Sequence, residues 1–328
     1  MRVNLYSDTQ TRPTEGMRRA MAAAEVGDEQ RGLDPTVTRL QERVAGLLGH
    51  ERGLFLPSGT MCNAIAFRLH VREGGDEVVL DRTSHPIVAE AGGPAAISGA
   101  MLAQLDGDGG RFTAAQLEEA VRPPDRYLPR TRLVSVEQTT NLAGGRVWPL
   151  EQLDEVLATA RKHGLRAHLD GARLLNACAA SGVEASRYAA GFDTAWLDFS
   201  KGLGAPVGAV LCGSSELIEE AWRYKQMWGG ALRQAGVLAA ACEYALDHHV
   251  ERLADDHENA KALARGLGLE EPETNIVIAT VPDAGEVKAK LIEHGVEASV
   301  IAPGRIRFVT HLDVDREGID HAVRAFAA

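Results

Sequence analysis

The apolar positions divide the chain into three rhythms. Near the N-terminus, TEGMRRAMAAA at 14–24 predicts a short helix after Pro13, and GLDPTVTRLQERVAGLLG at 32–49 places Leu40, Val44 and Leu47–Leu48 at helical spacing. This portion reads as an arm feeding a main body. From residue 50 onward, short apolar runs (GLFLP, EVVLD, RLVSVE, RAHLD, TAWLDF, VGAVLC) are interleaved with amphipathic ones such as GTMCNAIAFRLHV, PLEQLDEVLATARKHG and SSELIEEAWRYKQ. That alternation predicts an α/β fold: a mostly parallel sheet with helices on both faces. Two helical stretches, at 231–247 and 250–266, lead to a last block in which NIVIATV, EVKAKLIEHG, ASVIA, RIRFVTHL and DREGIDHAVRAFAA predict a small α+β domain. The expected division is residues 1–247 for the arm and large domain and 248–328 for the small C-terminal domain. EPETN at 271–275 and PDAG at 282–285 read as turns.

Composition narrows the function classes. With 45% hydrophobic and 25% charged residues, the 328-residue chain has the makings of a globular enzyme with a large core. Its formal charge of −11, without a basic run, argues against a nucleic-acid partner. MRVNLYSDTQTRP lacks the apolar centre of a signal peptide, and no run of 18 apolar residues follows, so a cytoplasmic protein without a membrane partner is expected. Cys62, Cys178, Cys212 and Cys242 stand singly in apolar surroundings and read as buried reduced thiols.

In open α/β sheets, ligands sit beyond the carboxyl ends of the strands. RLVSVE ends in Glu137, RAHLD in Asp170, and TAWLDFS is followed by Lys201, which places three ionisable groups on one sheet edge. Asp170 alone could be a helix cap for GARLLNA, and Lys201 alone a turn lysine. Together, 31 residues apart, they suit pyridoxal 5'-phosphate, which needs an amine for its aldehyde and an acid for its ring nitrogen. Gly202 and Gly204 would permit close approach of the backbone. Ser58, Gly59 and Thr60, between a strand and a helix, bring hydroxyls, backbone N–H groups and a helix dipole to one point, as a phosphate requires.

These segments, with SDTQTRPTEGMRRAM, EVGDE followed by GLDPTV, LFLPSGTMCN, SHPIVAEAGG, GGRVWPL, HGLRAHLDGARLLNA, SKGLGAPVGAVL, WGGALRQAGVLAAA and RFVTHLDV, resemble the threonine aldolase and β-eliminating lyase family. Members are pyridoxal-phosphate enzymes of the aspartate-aminotransferase-like fold, fold type I. The resemblance implies Lys201 as the Schiff-base lysine, Asp170 as partner of the pyridine nitrogen, and Ser58, Gly59 and Thr60 at the phosphate, with Arg233 arriving from a neighbouring subunit. His85 would stack on the ring and is the nameable candidate for the base, although stacking alone fits the sequence equally. Ser7, Arg173 and Arg307 would bind the substrate α-carboxylate, Arg173 lying close to the cofactor as well; an arginine fork is the expected carboxylate reader. The implied reaction is cleavage of a threonine-like β-hydroxy-α-amino acid to glycine and an aldehyde. The implied assembly is a homo-oligomer, a dimer at least, with a tetramer expected.

Several positions depart from the family pattern. EQTTN stands for E-N-T-H-N, so Thr140 replaces a histidine; RGLDP stands for Y-G-E-D-P, which introduces Arg31 and Leu33; Tyr6 replaces an arginine and Gln226 a lysine. Arg31 in a substrate pocket would favour an anionic side chain, or it would replace the charge absent at position 6. These departures keep open β-elimination or retro-aldol cleavage of a different, anionic amino acid; a transferase also stays open because the cofactor alone does not choose which bond breaks. A catalytically silent relative is the third alternative. No metal is expected: adjacent His248 and His249 point different ways on a helix. His168 reads as a packed or hydrogen-bonded core residue, His311 as a support for Arg307, and Trp196, Trp222 and Trp228 as core or interface.

Overall fold

Strands covered on both faces carry unbroken apolar runs because neither face meets water. The computed structural model, which describes residues 2–328, shows why these runs are short and how they are ordered. A two-residue strand of the arm, β1 (Val3–Asn4), precedes the main sheet. The sheet comprises β2 (Arg52–Leu56), β3 (Glu77–Asp81), β4 (Met101–Leu105), β5 (Thr131–Glu137), β6 (Arg166–Asp170), β7 (Thr194–Asp198) and β8 (Ala209–Gly213). Their spatial order is β2-β8-β7-β6-β5-β3-β4, and β8 runs antiparallel to both of its neighbours while the other strands share one direction. β3, β7 and β8 are buried throughout, whereas the edge strand β4 is not.

Alternation across each strand feeds two apolar layers. Phe55, Val79, Val134, Val136, Leu169, Leu197 and Val210 face the helices Pro35–Leu48, Leu150–Lys162 and Gly236–His248. Leu54, Leu56, Trp196 and Leu211, continued by Val78, Leu80 and Leu133, face the helices Gly59–His70 and Ser215–Met227. The architecture is thus the mostly parallel sheet, covered on both faces, that the apolar alternation calls for. Helix starts follow local chemistry: Asp34 accepts the Val37 N–H at 3.1 Å ahead of Pro35, and Ser58 accepts the Met61 N–H at 3.2 Å.

A second cluster is built on β9 (Ile276–Thr280), β10 (Val296–Glu297), β11 (Ser299–Ala302) and β12 (Arg305–Val309), with β11-β12-β9 forming an antiparallel sheet. The helices Leu253–Gly266, Ala284–Glu293 and Arg316–Ala327 cover it. Val3 and Leu5 pack in this cluster, and β1 pairs with β10. The arm therefore begins on the C-terminal sheet and then crosses toward the carboxyl edge of the main one, where the Thr11 hydroxyl donates to the Lys201 carbonyl at 2.8 Å. His311 Nε2, bonded to the Asn4 carbonyl at 2.8 Å, ties down this crossing; it makes no bond to Arg307, which the sequence reading had it support.

Candidate active site

Register places the strand-end acids together. Glu137 of β5 is paired with Asp170 of β6, and Lys201 follows β7, the next strand. Asp170 is 1% exposed; its Oδ2 accepts Asn63 Nδ2 at 2.8 Å and its Oδ1 accepts the Ala172 N–H at 3.1 Å. Burial pushes the Asp170 carboxyl above its ordinary pKa, while the Asn63 bond and the charges of His85 and Lys201 act against that rise. After Asp170 the backbone passes so close to β7 that a Cβ on Gly171 would lie 1.9 Å from the Trp196 carbonyl oxygen. Lys201 Nζ meets Asp198 Oδ2 at 2.7 Å and lies 5.7 Å from the centre of the Trp196 ring.

Two residues that the sequence reading did not single out, Asn63 and Glu90, link Asp170 to His85. Asn63 Nδ2 also donates to Glu90 Oε1 at 2.8 Å, and His85 Nδ1 lies 2.8 Å from the same oxygen. Burial lowers the His85 pKa, but the Glu90 bond and the Asp170 and Glu137 carboxylates outweigh it and raise the value. With Nδ1 engaged by Glu90, Nε2 is the ring nitrogen left for other chemistry. Glu137 is pushed up to about 7 by burial and by the charge of Asp170, with the Asn141 N–H bonded to its Oε2 at 3.2 Å.

Arg173 and Arg307 come together beyond this row, but each is already held. Asp8, another residue the sequence reading passed over, receives Arg173 Nε at 2.7 Å and Nη2 at 2.6 Å, and Asn275 Nδ2 donates to it at 3.1 Å. The Nε–Nη2 edge of Arg173 is thus committed to the protein, leaving Nη1. Arg307 donates from Nε to Ser299 Oγ at 3.2 Å, from Nη1 to Asn141 Oδ1 at 2.6 Å and from Nη2 to the Tyr6 carbonyl at 3.4 Å. Burial and the positive charge of Arg173 lower the Arg307 pKa, so a carboxylate placed between the two guanidiniums would relieve their repulsion. Ser7, beside Asp8, is buried and accepts the Thr9 N–H at 3.2 Å.

The remaining sequence candidates separate into three places. Ser58, Gly59 and Thr60 start the helix Gly59–His70 at the same sheet edge, with Ser58 and Thr60 exposed and Gly59 half-buried. A Cβ on Gly59 would fall 2.2 Å from the Trp196 ring, so the helix start packs flush on the tryptophan with bare backbone. Thr140 is buried in a turn, its Oγ1 accepting the Arg146 N–H at 3.1 Å, and brings no ionisable group. Arg31 and Arg233 lie together in a third place: the Glu29 N–H bonds to the Arg233 carbonyl at 2.9 Å, and Arg31, exposed, ends the turn Glu29–Arg31, whose Glu29 is buried. One amine, one buried acid with a hydrogen-bonded backing, and an open helix N-terminus form a donor set that fits pyridoxal phosphate.

Comparison with known proteins agrees with this chemistry. The model of the beta-eliminating lyase family matches residues 4–284. The chain is 40% identical over 340 residues to a probable low-specificity L-threonine aldolase 2 of Arabidopsis thaliana, covering 99% of this chain and 96% of that one. It is 39% identical over 337 residues to the low specificity L-threonine aldolase of Escherichia coli K12, covering 99% of both. The solved structure of Leishmania major threonine aldolase superposes with a TM-score of 0.85 over 99% of this chain and 98% of that one at 20% identity, a likeness of fold.

Proposed function

The chain belongs to the beta-eliminating lyase family, and from that premise we propose that it is a pyridoxal-phosphate carbon–carbon lyase cleaving threonine-like β-hydroxy-α-amino acids to glycine and an aldehyde. Its fold is type I of the pyridoxal-phosphate enzymes. The observation that carries the reading is the placement of Lys201 and the Asn63-backed Asp170 on one sheet edge beside two arginines.

When bound, the cofactor supplies the electron sink that takes up the charge left at Cα as a bond to it breaks. Lys201 Nζ would be the amine for its aldehyde carbon, Asp170 the acid for its ring nitrogen, and Ser58, Gly59 and Thr60 would hold its phosphate. Arg173 Nη1, Arg307 and the Ser7 hydroxyl hold the substrate α-carboxylate, which fixes the orientation of Cβ relative to His85. His85 Nε2 takes the β-hydroxyl proton; Glu90 holds Nδ1 and raises ring basicity, which suits a base working near neutral pH.

A homo-oligomer, a dimer at least and a tetramer by expectation, completes the proposal. Arg233 is 67% exposed at its side chain, and its ion-pair partner within the chain is Asp28 at 4.0 Å, which supports a role at a neighbour's phosphate. Exposed Leu33 and Met227 flank this cluster with apolar surface. Arg31 travels with Arg233, so Arg31→Ala is expected to reduce cleavage of β-hydroxyaspartate while leaving threonine cleavage intact. Four unpaired cysteines support a reducing, cytoplasmic setting.

Aldehyde release from threonine, allo-threonine, β-phenylserine and β-hydroxyaspartate stereoisomers by the cofactor-loaded protein, with Lys201→Ala as blank, tests the reading. Lysine-dependent release supports it. No release from any substrate, despite the absorbance of bound cofactor, overturns it in favour of β-elimination or transfer.

A further inference from the structure

The sheet face that carries Asp170 also carries polar groups with no part in the reading above. Side chains alternate along a strand, so His168 shares the face of Asp170, and the β6–β7 register sets His168 opposite Thr194. The helix Gly59–His70 lies on this face, and Asn63 and His70, two turns apart, project from one side of it. Their side chains join end to end. His70 Nε2 lies 3.0 Å from Thr194 Oγ1, which lies 2.8 Å from His168 Nδ1; His168 Nε2 lies 3.1 Å from Asn63 Oδ1, and Asn63 Nδ2 reaches Asp170 Oδ2 at 2.8 Å. All five residues are buried.

Counting donors leaves one direction for this chain of bonds. Asn63 Nδ2 faces two carboxylate oxygens, and its Oδ1 receives the indole N–H of Trp196 at 2.8 Å, which can only donate, so the amide cannot be turned round. His168 must then carry its proton on Nε2. Burial holds the His168 pKa down to about 3, so the ring is neutral, Nδ1 is bare, and Thr194 gives its hydroxyl proton to it. Thr194 Oγ1 is left to accept, and His70, held down to about 4 by burial, must donate from Nε2. Every donor points toward Asp170.

We propose that His70, Thr194, His168 and Asn63 form a one-way hydrogen-bond relay of positioning residues that locks the Asn63 amide and keeps Asp170 a charged carboxylate aimed at the cofactor ring nitrogen. This rests on the cofactor reading above. Bonds in series polarise one another, and donors aimed at a carboxylate favour its charged form, which opposes the desolvation acting on Asp170. Apolar residues could pack a helix on a sheet as well; a buried polar row in that place serves what it ends on.

Histidine ¹⁵N NMR of the holoenzyme and ring-¹⁵N-labelled pyridoxal phosphate test the relay without reference to turnover. His168 is expected as the Nε2–H tautomer with a bare, hydrogen-bonded Nδ1. Thr194→Val, which keeps the shape and removes the hydroxyl, is expected to move the bound ring nitrogen toward the unprotonated position. It should also lower kcat about fivefold, the scale of one net hydrogen bond, with little change in KM; Thr194→Ser should restore both. A Thr194→Val ring-nitrogen signal identical to wild type overturns the relay. If that variant does not fold, the wild-type tautomer decides: Nδ1–H or an imidazolium at His168 overturns the proposal. Absent aldehyde release with both signals as expected counts against the substrate reading and leaves the relay supported.

Discussion

Asp8 and Glu137 are buried carboxylates whose pKa values shift in opposite directions because their charged neighbours differ. Burial alone would raise the pKa of Asp8, but the two-pronged bond from Arg173 outweighs it and holds the value far below its usual 3.8. A depressed carboxylate contributes stability above its unfolded pKa and loses it as pH falls toward the folded one. Asp8→Asn leaves the Arg173 charge buried without its counter-ion, so it is expected to cost about 3 kcal/mol in urea unfolding at neutral pH, a deficit that shrinks below about pH 4. Glu137 is raised from 4.5 to about 7, so between those values the folded state binds more protons and stability falls as pH rises. Glu137→Gln removes that fall; the variant should gain roughly 3 kcal/mol over wild type at about pH 8 and little at about pH 4, measured by unfolding at both. Lys201 and Asp170 were legible because each ends an apolar run beside a glycine-rich turn. Asp8, Asn63 and Glu90 were not, since an asparagine inside GTMCNAIAF or an aspartate inside SDTQ carries no local signal. Their partners stand 165 residues away for Asp8–Arg173 and 107 for Asn63–Asp170, and only the strand order joins them.

At the scale of elements, the helix Gly59–His70 does the most: its N-terminus opens at the proposed phosphate site and its inner face carries the Asn63–His70 row. Both depend on how closely it lies on β7, and Gly59 against Trp196 sets that distance. Gly59→Ala would place a methyl into the indole at 2.2 Å, so helix or tryptophan must shift. The expected cost is about 1–3 kcal/mol in thermal unfolding together with weaker cofactor retention on dialysis. A variant that unfolds earlier yet keeps its cofactor would separate packing from the cradle. Six of the main strands announced themselves as apolar runs flanked by turn residues. The edge strand Met101–Leu105, half exposed, and the four-residue helices at His85–Val88 and Gly93–Ala96 did not, since neither burial nor periodicity marks so short or so open a segment.

At the scale of the whole molecule, Arg233 holds an exposed side chain on a loop whose Gly230 packs against Met61, beside the proposed phosphate site. The arm, paired with β10 through β1 and bonded to Arg173 through Asp8, ties together the two clusters on either side of the arginine pair. If Arg233 acts in trans, Arg233→Ala and Lys201→Ala each abolish activity for reasons located in different subunits of the same site. A mixed dimer then contains one site with both residues and one with neither. Random re-association of equal amounts of the two inactive variants should therefore restore about one quarter of wild-type aldehyde release. If Arg233 served its own chain, every site in the mixture would lack one group and no activity would return, so the mixing experiment separates subunit sharing from a defect confined to one chain.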